Sequence, residues 1–178
     1  YIWILAGWAQ SKERKKGIRA RALLDWMLNE HRSGNIFIKP NFPSYNSVMS
    51  ACVRTSKHLD PREKRRNFDI VLRTFEDLTK ADHLKPGSVS YRIMLSACHA
   101  LLPPGPEQQN RVKAIFQHCC RVGVVDDYLY AIFLESSDKD TFKEIMEKDH
   151  DVPYAVLPKE WKRNCKIPLW QQWCSWYK

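Results

Sequence analysis

The chain has 178 residues, 44% of them apolar and 12% aromatic, which is enough to bury a core and excludes a disordered tail. Lys and Arg (29) exceed Asp and Glu (20), giving a net charge of +9 that favours polyanions without choosing between RNA, DNA and anionic lipid. No apolar run approaches the roughly 20 residues that cross a bilayer, so no membrane partner is expected, and six cysteines without a Cys-x-x-Cys pair argue against a zinc site or a disulfide framework.

In chain order, the opening Tyr1-Ile2-Trp3-Ile4-Leu5 has no initiator Met and no basic leader, which predicts a piece of a longer polypeptide with any targeting peptide out of view. Tyr1, Ile4, Leu5 and Trp8 follow the i, i+3, i+4, i+7 spacing of one apolar helix face. The template recurs at Tyr45, Val48, Met49, Cys52 and at Tyr91, Met94, Leu95, Cys98. Small residues at matched places, Gly7, Ala51 and Ala97, are expected to let a neighbouring helix approach. Cys52 and Cys98 share one register and read as packed interior thiols.

Each of these A helices is followed by a polar or Pro-rich break and a second amphipathic segment, at residues 20–27, 71–78 and 112–119. These B segments align without gaps and place Leu24, Phe75 and Phe116 at one expected core position. Ile38-Lys39-Pro40-Asn41 and Leu84-Lys85-Pro86-Gly87 close the first two units, proline ending one element before the next A helix begins. The third unit has Val124-Val125-Asp126 there instead. Tyr45 lies 44 residues after Tyr1, and Tyr91 lies 46 after Tyr45, a period that predicts an all-α array of stacked helix pairs, each completing its neighbour's core. The expected units are residues 1–41, 42–87 and 88–126, followed by a C-terminal partial repeat with capping helices over 127–178.

The runs Pro43-Ser44-Tyr45-Asn46-Ser47-Val48-Met49-Ser50-Ala51-Cys52 and Val89-Ser90-Tyr91-Arg92-Ile93-Met94-Leu95-Ser96-Ala97-Cys98, with the Lys-Pro-Asn and Lys-Pro-Gly endings, resemble the pentatricopeptide repeat over about residues 1–130. The tetratricopeptide pattern of Trp, Leu-Gly and Tyr is not found. The resemblance implies a right-handed superhelical α-solenoid of antiparallel helix pairs, with a tetratricopeptide-like architecture. It further implies single-stranded RNA as partner, work in RNA processing, translation or stability in a mitochondrion or chloroplast, and no enzymatic activity. No cofactor, metal or small-molecule substrate is expected. A protein-interaction scaffold that keeps the repeats and has lost base reading is the alternative.

By resemblance, the residue after each A-helix Tyr pairs with the last residue before the following repeat to read a base, which gives Ile2 with Asn41, Asn46 with Gly87, and Arg92 with Asp126. Only Asn46 can both donate to and accept from a base edge, and Gly87 has no side chain, so the code is degraded. Asn46 would lean toward a pyrimidine by that resemblance; its plainer role is an amide satisfying backbone donors at a helix start. Arg92 suits a phosphate or an ion pair with Asp126. Pro43 and Val89 map to the family's apolar wedge against bases, and Arg54 to its phosphate-contacting base at the end of the A helix.

The family's period is near 35, and the extra residues here fall in the A-to-B breaks at 11–17, 55–67 and 101–110. They carry Lys12, Arg14, Lys15, Lys16, Lys57, Arg62, Lys64, Arg65 and Arg66, which read either as solvated loops or as a phosphate-attracting rim. Beyond residue 140, Phe142, Ile145 and Met146 predict a short amphipathic helix and Leu157 to Trp161 a terminus, while Trp170, Trp173 and Trp176 form a stripe suited to sealing the array or to stacking on a base. The six histidines are scattered, and Asp138 to Asp140 and Asp149 to Asp151 read as helix caps rather than as a metal-dependent nuclease.

Overall fold

The computed structural model describes residues 1–54, 59–148 and 152–165; the Trp170, Trp173 and Trp176 stripe, the Asp149 to Asp151 cluster and Lys57 lie outside them. Among the described residues the chain is all-α, with no strand. The helices are α1 (Ile2–Gln10), α2 (Lys16–Arg32), α3 (Phe42–Val53), α4 (Pro61–Lys80), α5 (Ser88–Leu101), α6 (Pro106–Val122), α7 (Asp127–Ser136), α8 (Lys139–Met146) and α9 (Lys159–Lys162). A 3-10 turn, Tyr154–Val156, precedes α9. None of them is long and apolar enough to cross a membrane.

Local chemistry sets the helix ends. At α3 the Asn41 carboxamide oxygen accepts from the Ser44 N–H at 3.2 Å while the Ser44 hydroxyl accepts from the Asn41 N–H at 3.3 Å, a reciprocal capping box. Asp60 and Glu63 do the same at α4, with Pro61 in the first turn, where its missing N–H has no intrahelical partner to lose. Helix α4 therefore extends back through most of the second insertion. Asp138 caps α8 through the Thr141 N–H at 2.8 Å. Helix α6 stops at Gly123, whose φ of +79° is the left-handed conformation glycine adopts without strain.

The odd-numbered helices pack in a row, α1 on α3, α3 on α5 and α5 on α7, and each even-numbered helix lies against the odd one before it and the odd one after it as far as α7. An interior helix therefore has two buried faces. Tyr45, Val48 and Ala51 of α3 join Leu5, Ala20 and Leu24 in one core, while Met49 and Cys52 of the same helix join Phe68, Leu95 and Cys98 in the next. Helix α7 continues the row with a third buried tyrosine, Tyr130, 3% exposed, whereas Tyr1, expected at the same place in the first unit, is 54% exposed because no helix precedes α1 among the described residues to cover it. Its hydroxyl donates to the Val152 carbonyl at 2.7 Å.

Three expectations are corrected. Gly7 makes no close approach, since a Cβ there meets nothing within 4 Å; the tight contact is Gly17, where a Cβ would lie 2.7 Å from Cys52 Sγ. Phe75 is only half-buried although Leu24 and Phe116 are fully buried, because Thr74 turns inward to accept a hydrogen bond from buried Arg21 at 3.0 Å. Lys16, expected at the surface in a solvated loop or a charged rim, is 4% exposed, and its ammonium donates to the carbonyls of Ser11 at 2.8 Å and Ala9 at 3.4 Å.

Lys16 has counterparts. Asn67 donates to the Cys52 carbonyl at 3.2 Å, and Gln108 donates to the Cys98 and His99 carbonyls at 3.1 and 3.3 Å. All three sit in the first two turns of an even-numbered helix and donate to carbonyls at the end of the odd-numbered helix before it, where intrahelical donors run out.

Candidate nucleic-acid interface

Two neighbouring grooves run over the odd-numbered row. The first, of about 370 Å³, is lined by Phe42, Asn46, Gly87, Val89, Asp126 and Asn164 among others. The second, of about 290 Å³, is lined by Ser50, Arg54, Val89, Arg92 and Ser96, with Val53, Ile93 and Ile132 as its apolar part. Val89, 46% exposed, borders both. The structure thus brings Asn46, Gly87, Val89 and Asp126 together, and sets Arg54 beside Arg92. Ile2, Asn41 and Pro43 line neither groove.

The helix starts explain which of these side chains remain open to a ligand. Asn41, not Asn46, satisfies the first turn of α3. Asn46 sits one turn further on, and its carboxamide oxygen accepts from the Ser90 hydroxyl of α5 at 2.9 Å, tying adjacent odd helices while its NH₂ makes no bond among the described residues. Gly87 begins α5 with open space where a Cβ would stand. Asp126 caps α7, accepting from the Leu129 N–H at 2.7 Å, and accepts from the Ser88 hydroxyl as well.

Arg92 makes no ion pair with Asp126. The local cap draws the carboxylate to the first turn of α7, and the Arg92 guanidinium instead lies over the Tyr128 ring, 5.3 Å from its centroid, a cation–π contact. Its Nε is buried without a partner. Arg54 follows the last turn of α3, exposed, with no carboxylate in ion-pair range among the described residues. Of the rim cations, Arg14 is engaged by Glu63 and Arg65 by Asp69 and Glu107, whereas Lys12, Lys15, Arg62, Lys64 and Arg66 have no such partner among the described residues.

Tyr128 and Asn164 escaped the sequence reading. Tyr128 stands two places before Tyr130, as Val89 stands before Tyr91, so the spacing carried its signal; Asn164 belongs to a tail whose path no periodicity gives. The buried thiols are chemically quiet. Burial pushes Cys52 and Cys98 up to about 12, and burial, with Asp126 and Asp127 nearby, lifts Cys165 at the groove edge to about 11. No group of three His, Cys, Asp or Glu side chains among the described residues is placed to hold a metal.

Fold and grooves together define a chain that is all-helical over its described residues, with two adjacent and largely apolar grooves over one helix row, one of them holding two arginines without acidic partners among those residues. Compared with known proteins, the chain matches no family model, no curated protein and no solved structure.

Proposed function

We propose that this chain is an RNA-binding solenoid of the pentatricopeptide type, right-handed and built of antiparallel pairs, that holds single-stranded RNA along its odd-numbered helices. It acts in organelle RNA metabolism and has no catalytic role of its own. The observation that carries this reading is the pair Arg54 and Arg92, free of acidic partners among the described residues, in one groove with the hydroxyl-bearing Ser50 and Ser96. Two guanidinium forks there suit phosphate oxygens. The adjoining groove presents the Asn46 amide beside apolar Phe42 and Val89, the polar-edge and apolar-face combination that a splayed base requires.

The test is Arg54→Glu combined with Arg92→Glu, measured against short single-stranded RNA across a salt series. Loss of two phosphate contacts is expected to reduce the log–log salt slope by about 1.4, at about 0.7 per phosphate on single strands. An unchanged affinity in a variant with unaltered circular dichroism refutes RNA binding by this face. The scaffold reading has its own supporting observation: Asn41 and Asp126 are engaged as caps and Gly87 is bare, so base reading is thin.

A further inference from the structure

The segment after the last helix pair returns to the groove. The Val125 N–H donates to the Trp161 carbonyl at 2.9 Å, and the Asn164 N–H donates to the Gly123 carbonyl at 2.7 Å. The Asn164 carboxamide NH₂ donates to the Val122 carbonyl at 2.6 Å. Gly123 is packed so closely that a Cβ would stand 2.5 Å from Arg163 Cγ. These contacts fix the segment on the turn between α6 and α7 and make Asn164 part of the wall of the groove that holds Asn46, Gly87 and Asp126.

The remaining hydrogen-bonding capacity there is small and specific. Asp126 is committed to the Leu129 N–H and the Ser88 hydroxyl, and Gly87 contributes no side chain. Asn46 gives its oxygen to Ser90 and keeps its NH₂. Asn164 gives its NH₂ to Val122 and keeps its oxygen, which has no partner among the described residues. Fixing one half of each amide sets the direction of the other half. The groove wall therefore carries one amide whose NH₂ and one amide whose oxygen are unengaged among the described residues, with apolar Phe42 and Val89 for a ring face.

We infer that Asn164, from outside the repeats, is a base-contacting residue: its side-chain oxygen accepts from a ring N–H or exocyclic amine of a nucleobase in the Asn46 groove. The inference rests on the RNA-binding reading above. An amide oxygen and an amide NH₂ in one groove wall suit the donor and acceptor of a base edge, and the free atom of Asn164 is an acceptor, which cannot bond a phosphate oxygen, so Asn164 contributes base preference and leaves backbone affinity alone.

The experiment uses the full chain, four homopolymeric ribodecamers and an abasic ribose-phosphate decamer. The protein is expected to bind at least one homodecamer more tightly than the abasic strand. Asn164→Ala is expected to shrink that preference at least threefold, with abasic affinity and salt slope unchanged and the melting temperature lowered only slightly by loss of the bond to the Val122 carbonyl. A preference that survives the substitution overturns the inference, as does a parallel fall in base-bearing and abasic affinity, which marks a purely structural wall. Equal wild-type binding to all five strands overturns it while leaving RNA binding intact; binding to none overturns both.

Discussion

Replacing Arg21 by Met tests the join between the first two helix pairs. The Arg21 side chain is 7% exposed and its Nη2 lies 2.6 Å from both Asp25 Oδ1 and Asp77 Oδ2; Nη1 donates to Thr74 Oγ1 at 3.0 Å. Burial pulls its pKa down, yet the hydrogen bonds to the two carboxylates outweigh that and leave it raised. Removing one member of a buried ion pair typically destabilises by about 3–5 kcal/mol. Here the carboxylates retain water, with Asp25 35% and Asp77 24% exposed, and Met keeps the packing of the stem. The expected loss is accordingly about 2 kcal/mol, or about 4–8 °C in Tm for a chain of this size. Urea melts followed by circular dichroism measure it, alongside Asp77→Asn and the double variant. Because Arg21 and Asp77 touch, the two substitutions are expected to couple by about 1 kcal/mol. A cost under about 0.5 kcal/mol, or strict additivity, would refute the claim that this network joins α2 to α4.

Gln108→Leu removes one donor from the His99 carbonyl and one from the Cys98 carbonyl, which keeps the Leu102 N–H, and should cost about 1–3 kcal/mol, with hydrogen exchange accelerating first at the end of α5. Glu63 is held down at about 2 by the Arg14 guanidinium first and by the Asp60 N–H second. As a lowered carboxylate it supports the start of α4 fully above the ordinary carboxylate range and loses that contribution as pH falls toward about 2. Side-chain NMR titration should place its midpoint there, and Arg14→Ala should move it upward. Because burial lifts Cys52 and Cys98 to about 12, neither should be alkylated in the folded protein at pH 8, and both should react once urea unfolds it; mass mapping of fast labelling at either position contradicts the packing described.

Apolar spacing was enough to place Tyr45, Met49, Tyr91 and Leu95, since a stacked helix must repeat its buried face. It was not enough for Tyr130, because the template breaks at Ser137 where Cys52 and Cys98 stood before. Lys16, Asn67 and Gln108 looked like surface for a related reason: a polar residue in a charged stretch gives no hydropathy signal. Their common feature is register, each lying eight residues before Leu24, Phe75 or Phe116. In the groove, the juxtaposition of Asn46 with Gly87 and Asp126 follows from the repeat. Which atoms stay free does not, since it depends on a competition between capping and cross-helix bonds that only coordinates resolve. Arg92 illustrates this: an aspartate suited to pair with it was drawn away by the start of α7, and an aromatic ring took its place.

Under the proposed RNA-binding reading, Gly87 bears on how such a protein would change its target. Altering Asn41 or Asp126 also removes a helix cap, typically a loss of about 1 kcal/mol, so drift at those places is opposed by stability. Gly87 has a φ of −110° and empty space beside it, and α5 starts there with no side-chain cap. Asn or Asp at that position gains a cap and a polar group at the groove in one step. Under that reading, new preferences could arise at the second repeat without a compensating mutation elsewhere, which makes position 87 the natural point of entry for redesign.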